Sequence, residues 1–442
     1  MEEEKDQQKV RDGQNMTAEI AILNKSAVAL AADSKVTVGP EGSQKTYDTV
    51  NKLFALSKYH PIAAMIFGNA QFMGFPWETI IKLHREQISA QSQPTVFDYA
   101  DRFFEDLLKG YSFTESDQKH NVSNILSSYY ADIRRITLQT FTQTGKPYKK
   151  TFKLILQQVI SAYHRQLSGL DKSECFENIS EQDILKHYSV TINKAIMTAF
   201  KGVLSIDSRK LLRELSVNVL LKNAFSPSYS GVVFAGFGDD ERFPSLAEYR
   251  TDGVIAGVIK KREGDRIDIR RTMGASVVAF AQRDIVYGFM EGVDPDYQRY
   301  LEGVVSELLK QNGLSILSKY GRGSVKQKDK HKQEVQDALK KKLEDFYKHM
   351  AEYRGEHFSR EIIDMIVMLP KEEMANMAES LVNLTSLKRR MSFQTESVGG
   401  PIDVAVISKS DGLIWIKRKH YFRAEDNPMF FQNYFREKLP KS

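Results

Sequence analysis

The spacing of apolar positions changes several times along the chain, and each change marks a change of element. From Thr17 to Leu30 the segment TAEIAILNKSAVAL holds two short apolar runs, IAIL and AVAL. Asn24-Lys25-Ser26 separates them, the pattern of a β-hairpin entering a sheet. KLFALS and PIAAMIFG follow, each bounded by turn-forming residues, so the chain as far as Phe75-Pro76 reads as strand. Beyond that point apolar residues recur three and four apart in VFDYADRFFEDLLKGY, NILSSYYADIRRITLQTF, KLILQQVISAYHRQLSGL and ILKHYSVTINKAIMTAF, which predicts helices. The stripe Phe97, Tyr99, Phe103 and Phe104 is read as core packing. Strand patterning returns at GVVFAGFGDD and runs through LAEYRTDGVIAGVIKKREGDRIDIRRTMGAS, broken by Gly- and Asp-bearing turns. Helices resume near Tyr297. Val335, Leu339, Leu343, Phe346 and Met350 form one apolar face, and KEEMANMAESLVNLTSLKRR predicts another helix. PIDVAVIS and GLIWIKR close the pattern as a strand pair around Lys409-Ser410-Asp411-Gly412.

Strands, helices, strands, helices, strands is the order expected of an α+β protein in which two stacked antiparallel sheets lie between helical layers. The expected organisation is a polar leader or propeptide over 1–16, then a first part of the core over 17–76. A large helical insertion over 77–228 and a second part of the core over 229–296 follow. A helical extension with a basic linker over 297–358, the last helix and strands over 359–425, and a tail over 426–442 complete it.

Composition narrows the class. The 442 residues are 41% hydrophobic, enough for a large core, and no run of about 18 or more apolar residues suggests a membrane span. The polar, largely acidic opening MEEEKDQQKVRDGQN has no apolar stretch of the kind a signal peptide needs. Cys175 is the single cysteine and has no disulfide or metal-ligand companion, which predicts a reducing, cytoplasmic setting. The histidines form neither HExxH nor HxH, so no metal or other cofactor is expected. A net charge of +6 is modest for this length and does not argue for nucleic acid. The cations Lys319, Arg322, Lys326, Lys328, Lys330 and Lys332 are opposed only by Asp329. This run reads as a solvated linker before a helix, with an electrostatic docking patch as the alternative.

Candidate chemistry begins at Thr17. A threonine hydroxyl is a poor nucleophile until a base takes its proton, and the recurring solution is the α-amine of the same residue when it heads the chain. Such an amine, with an ordinary pKa of about 7.7–8.0, is neutral and basic after a modest depression. Here Met16 precedes Thr17, so translation from Met16 with methionine trimming, or self-removal of a propeptide, would expose the same amine. A threonine at the head of a strand means little alone; its companions give it weight. In ALAADSKVTVG, Asp33 follows an apolar strand, where a carboxylate is costly to bury without a cation. Lys52, at the mouth of the next strand in TVNKLFAL, is the natural partner, able to lower the pKa of an amine or hydroxyl it touches.

TAEIAILNKSAVALAADSKVTVG resembles the start of a mature proteasome β subunit and of its bacterial two-ring relative, members of the N-terminal nucleophile (Ntn) hydrolases. Thr17 precedes Asp33 by sixteen positions, the family's spacing from nucleophile to aspartate, and Lys52 matches its lysine. Gly68 in MIFGNAQ resembles the glycine whose N–H forms the oxyanion hole. In other hydrolases one such donor is worth about 2.7–4 kcal/mol. GVVFAGFGDDERFPSLAEYRTDG and ESVGGPIDVAVISKSDG extend the likeness, which covers well under half of the chain. Where the family places an aspartate and a serine beside the amine, Thr395 and Val398 stand here, with Glu396 one position off as a substitute. A further family serine falls at Ala275 or Ser276.

The resemblance implies a four-layer αββα Ntn-hydrolase sandwich and a threonine peptidase acting on peptide or protein substrates. It also implies homo-oligomers, rings among them, and an ATP-dependent unfoldase as partner. A non-catalytic assembly subunit and an amidase for a small-molecule amide are the alternative expectations, since one fold hosts several functions.

Overall fold

The computed structural model describes residues 17–38, 45–88, 90–143, 148–320, 325–391, 398–420, 422–423 and 425–435. The leader over 1–16 and the candidates Thr395 and Glu396 lie outside the described residues.

Fourteen strands are described: β1 (Glu19–Asn24), β2 (Val28–Ala32), β3 (Val36–Val38), β4 (Lys45–Tyr47), β5 (Leu53–Ala55), β6 (Ile62–Gly68), β7 (Gln71–Phe72), β8 (Phe75–Pro76), β9 (Ser230–Gly236), β10 (Ser245–Ile255), β11 (Val258–Asp268), β12 (Ala275–Ala279), β13 (Asp403–Ser408) and β14 (Gly412–Lys417). Ten of them form two five-stranded sheets, in the orders β12-β1-β2-β13-β14 and β11-β10-β9-β6-β5. Neighbouring strands in both sheets run antiparallel. The β1–β2 hairpin turns on Asn24, whose Oδ1 accepts from Ser26 N at 2.9 Å and Ala27 N at 3.2 Å. This asparagine satisfies the turn's backbone donors from its own side chain.

Alternation along β1 explains how the first sheet is buried on both faces. Ala21 and Leu23 join Met65, Phe67, Val233 and Leu246 in the core between the sheets. Ile20 and Ile22 point the other way, toward Met374, Ala378 and Val382. Those residues lie on a helix, Lys371–Arg390, so one sheet face meets the other sheet and the opposite face meets helices. The second sheet also carries helices on its outer face.

Six α-helices are described between β8 and β9: α1 (Trp77–Ile88), α2 (Val96–Gly110), α3 (Glu115–Gln143), α4 (Lys149–Ser168), α5 (Glu181–Phe200) and α6 (Ile206–Leu221). They divide into two groups. Trp77, Ile80 and Ile81 of α1 and Tyr99, Phe103 and Phe104 of α2 cover the second sheet, against Phe234 and Tyr249. Thr95 starts α2 through a reciprocal capping box with Asp98, which satisfies donors a helix start leaves free. Helices α3 to α6 pack mainly on one another, around Tyr129, Tyr130, Ile160 and Leu212.

The remaining helices are α7 (Arg283–Glu291), α8 (Pro295–Tyr320), α9 (Val325–Arg354), α10 (Arg360–Met368), α11 (Lys371–Arg390) and α12 (Pro428–Phe435). Helix α9 begins earlier than the charge pattern suggests. The cations from Lys326 to Lys332 belong to it, not to a linker ahead of it. Lys and Gln are good helix formers, and Lys330 finds Glu334 one turn on, at 3.9 Å.

Candidate functional site

The chemistry-bearing residues meet where β1 begins and β2 ends. Antiparallel pairing of the two strands brings Glu19 opposite Ala32, and Asp33 N donates to Ala18 O at 3.1 Å. Residues fifteen apart in sequence, Ala18 and Asp33, thus become neighbours across one hairpin. Lys52 joins them from the second sheet, its carbonyl accepting from Ile66 N at 2.9 Å. Thr17, Glu19, Asp33 and Lys52 are all buried.

Asp33 is the most fully bonded member. Its Oδ1 accepts from Ala18 N at 3.1 Å, and its Oδ2 accepts from Gly399 N at 3.1 Å and from Lys35 N at 3.4 Å. Lys52 Nζ completes the set through a close ion pair with Oδ1. A carboxylate with this many donors is held in place, the condition under which a buried ion pair is tolerated. Gly399 reaches the site with φ of 157°, a conformation that a side chain would disfavour, and its carbonyl accepts from Ser34 N at 3.2 Å.

Glu19 is the functional candidate that the sequence reasoning passed over. Its Oε1 lies 3.3 Å from Lys52 Nζ, and its side chain is fully enclosed. Neither carboxyl oxygen completes a hydrogen bond among the described residues. Burial pushes the Glu19 pKa up to about 7, against the opposing pull of the Lys52 cation; the Asp33 charge adds to the rise and the Thr17 hydroxyl lowers it. That hydroxyl faces the carboxyl without a hydrogen bond of good geometry, so Thr17 Oγ1 also counts among the unbonded buried atoms. The signal was present in TAEIAIL. Glu19 sits two residues after Thr17 inside an otherwise apolar strand, and a charged residue there needs a partner.

Gly68 ends β6, two residues beyond the amide bonded to Lys52, and turns with φ of 75°. Ser276 is elsewhere. It pairs with Leu23 near the far end of β1, six residues along from Thr17 and therefore roughly 20 Å away at strand rise. At the Thr17 end the neighbour of β1 is Phe280, whose N donates to Glu19 O at 3.0 Å. Val398 is buried among the apolar side chains between the first sheet and its helices. No group of three or more potential metal-ligating side chains gathers among the described residues, and none of their helices is long and apolar enough to cross a membrane.

No protein-family model matches this chain. No curated protein matches it either. Among solved structures, the chain is aligned with the Anbu (Gly-1) mutant from Hyphomicrobium sp. strain MC1 at 9% identity, over 96% of this chain and 100% of that one, with a TM-score of 0.28. A likeness at that level carries no argument, and the functional reading rests on the residues themselves.

Proposed function

We propose that this chain is an N-terminal threonine hydrolase that cleaves peptide bonds, built as a four-layer αββα sandwich with helical additions. The observation that carries the reading is the buried Asp33–Lys52 ion pair at the start of β1, where Ala18 N, next to the buried Thr17, donates to Asp33 Oδ1 at 3.1 Å. In this reading Thr17 Oγ attacks the scissile carbonyl, an acyl-enzyme forms, and water releases it. Asp33 fixes Lys52, whose cation favours the anionic forms of the groups beside it. The Gly68 N–H serves the developing oxyanion. Ser276 has no part, and Thr395 and Glu396 remain candidates for supporting a freed Thr17 amine. Peptide or protein substrates and assembly into homo-oligomers belong to the same proposal, as does feeding by an ATP-dependent unfoldase.

A second reading, a non-catalytic assembly subunit, draws support from Val398, which offers a buried apolar side chain where the resembled family has a serine.

N-terminal sequencing of the protein purified from its own cells, together with hydrolysis of a peptide panel, separates the two. The peptidase reading expects a chain starting at Thr17 and loss of turnover in Thr17→Ala with assembly unchanged. Turnover that survives Thr17→Ala places the chemistry elsewhere, and an inert, unprocessed chain favours the assembly reading.

A further inference from the structure

The Thr17 cluster holds two carboxylates around one ammonium, and only one of the two is saturated with donors. Asp33 has three backbone N–H groups and Lys52. It already compensates the lysine's charge, so the ion pair has no structural need of Glu19. Glu19 has the weaker contact with Lys52, at 3.3 Å, its oxygens complete no hydrogen bond of good geometry, and the Thr17 hydroxyl is near enough to bear on its ionisation. Ala18 packs with Ile20 and Ile22 on the side turned to the helices, so alternation puts the Thr17 and Glu19 side chains together on the other face. A buried carboxyl with free acceptor capacity beside a free hydroxyl is the arrangement of a general base and its nucleophile.

We propose that Glu19 takes the proton of Thr17 Oγ when the hydroxyl attacks, while Lys52 remains the cation that holds both carboxylates. The inference rests on the reading of Thr17 as nucleophile and assigns the base within it. As the Oγ–carbonyl carbon bond forms, the Oγ–H bond breaks and its proton passes to Glu19. As the scissile C–N bond breaks, that proton goes to the departing amine. Water then attacks the ester, gives a proton to Glu19 and leaves a carboxylic product, and Glu19 returns the proton to Thr17 Oγ. Atoms and charges balance without a cofactor. A carboxyl whose pKa lies near 7 is suited to both transfers at neutral pH. The Thr17 α-amine is then not required as the base.

The test uses the full chain beginning at Thr17, with Glu19→Gln and Glu19→Asp, each treated with a peptide β-lactone that acylates threonine hydroxyls. Labelling of Thr17 is followed by intact mass from about pH 5 to about pH 9. The proposal expects a wild-type rate that rises with an inflection near neutrality. Glu19→Gln should slow labelling about a hundredfold or more and remove the inflection, and Glu19→Asp should recover part of the rate with the inflection displaced. Unchanged thermal unfolding of Glu19→Gln separates loss of a base from loss of structure. Should that variant fail to fold, the displaced inflection of Glu19→Asp decides. Labelling of a folded Glu19→Gln within about threefold of wild type, at the same inflection, overturns the role of Glu19 and leaves the Thr17 reading intact. A wild-type chain that is never labelled at Thr17 overturns the Thr17 reading, and this inference with it.

Discussion

Glu19 and Glu248 are enclosed to the same degree, yet their surroundings drive their ionisation in opposite directions. On β10, burial pushes the Glu248 carboxyl up, but two guanidiniums outweigh it and hold the group below its usual range. Arg250 Nε lies 2.8 Å from Oε1, Arg283 Nη2 lies 2.8 Å from Oε2, and Asp265 N adds a bond at 3.2 Å. Arg283 also meets Asp265 at 2.9 Å, so two carboxylates share two cations. At the Thr17 site Glu19 and Asp33 both meet Lys52, and burial wins at Glu19. A saturated buried carboxylate fixes structure. An undersaturated one keeps proton-accepting capacity, which is what a reaction can use.

The comparison can be broken by substitutions at each end. The largest stability effect is expected from Glu248→Gln, which leaves the buried Arg250 guanidinium short of a charge and should cost about 3–5 kcal/mol in urea unfolding. Glu19→Gln leaves Lys52 paired with Asp33, so at neutral pH it should cost far less. A loss as large as that of Glu248→Gln would erase the distinction between the two sites.

The pH dependence sharpens it. The Glu19 pKa is raised from 4.5 to about 7, so its protonated form favours the folded state fully below pH 4.5, and that stability is lost as pH rises through about 7. The difference in unfolding free energy between wild type and Glu19→Gln should therefore fall by about 3 kcal/mol across that window. His84 works in the opposite sense. Burial against Phe103 lowers its pKa from 6.5 to about 4, despite Asp106 nearby, so its stabilisation is complete above 6.5 and is lost as pH falls toward 4. His84→Gln should remove a loss of about 3 kcal/mol from the acid side of the curve. Because the two slopes oppose, only the single variants expose them. The smallest effect belongs to an exposed pair such as Lys109–Glu105 on α2, where Lys109→Ala should change unfolding free energy by less than about 0.5 kcal/mol.

Much of this architecture was legible in the apolar pattern. Short continuous apolar runs marked β1, β2, β6 and β13 because each strand is buried along nearly its whole length. Asp33 and Lys52 could be paired from sequence because each charge stands beside an apolar strand and one offsets the other. The division of the helices after β8 was not legible, since α2 and α3 carry similar apolar stripes and only packing tells which covers the sheet. Ser276 was misplaced for a related reason. Sequence places it on a strand, but the register of β12 on β1 decides which end of the sheet it reaches, and Ser276 falls opposite Leu23. Glu19 was hidden by its neighbours, being one charged residue in a run that reads as a hydrophobic strand.

The central claim is that Thr17 Oγ is the nucleophile, and trapping the acyl-enzyme tests it most directly. The chain beginning at Thr17 is quenched in acid during turnover of a peptide ester and mapped by mass spectrometry. One acyl group esterified to Thr17, absent from Thr17→Ala, is the predicted result. An acyl group on any other residue, or turnover by Thr17→Ala at the wild-type rate, would contradict it.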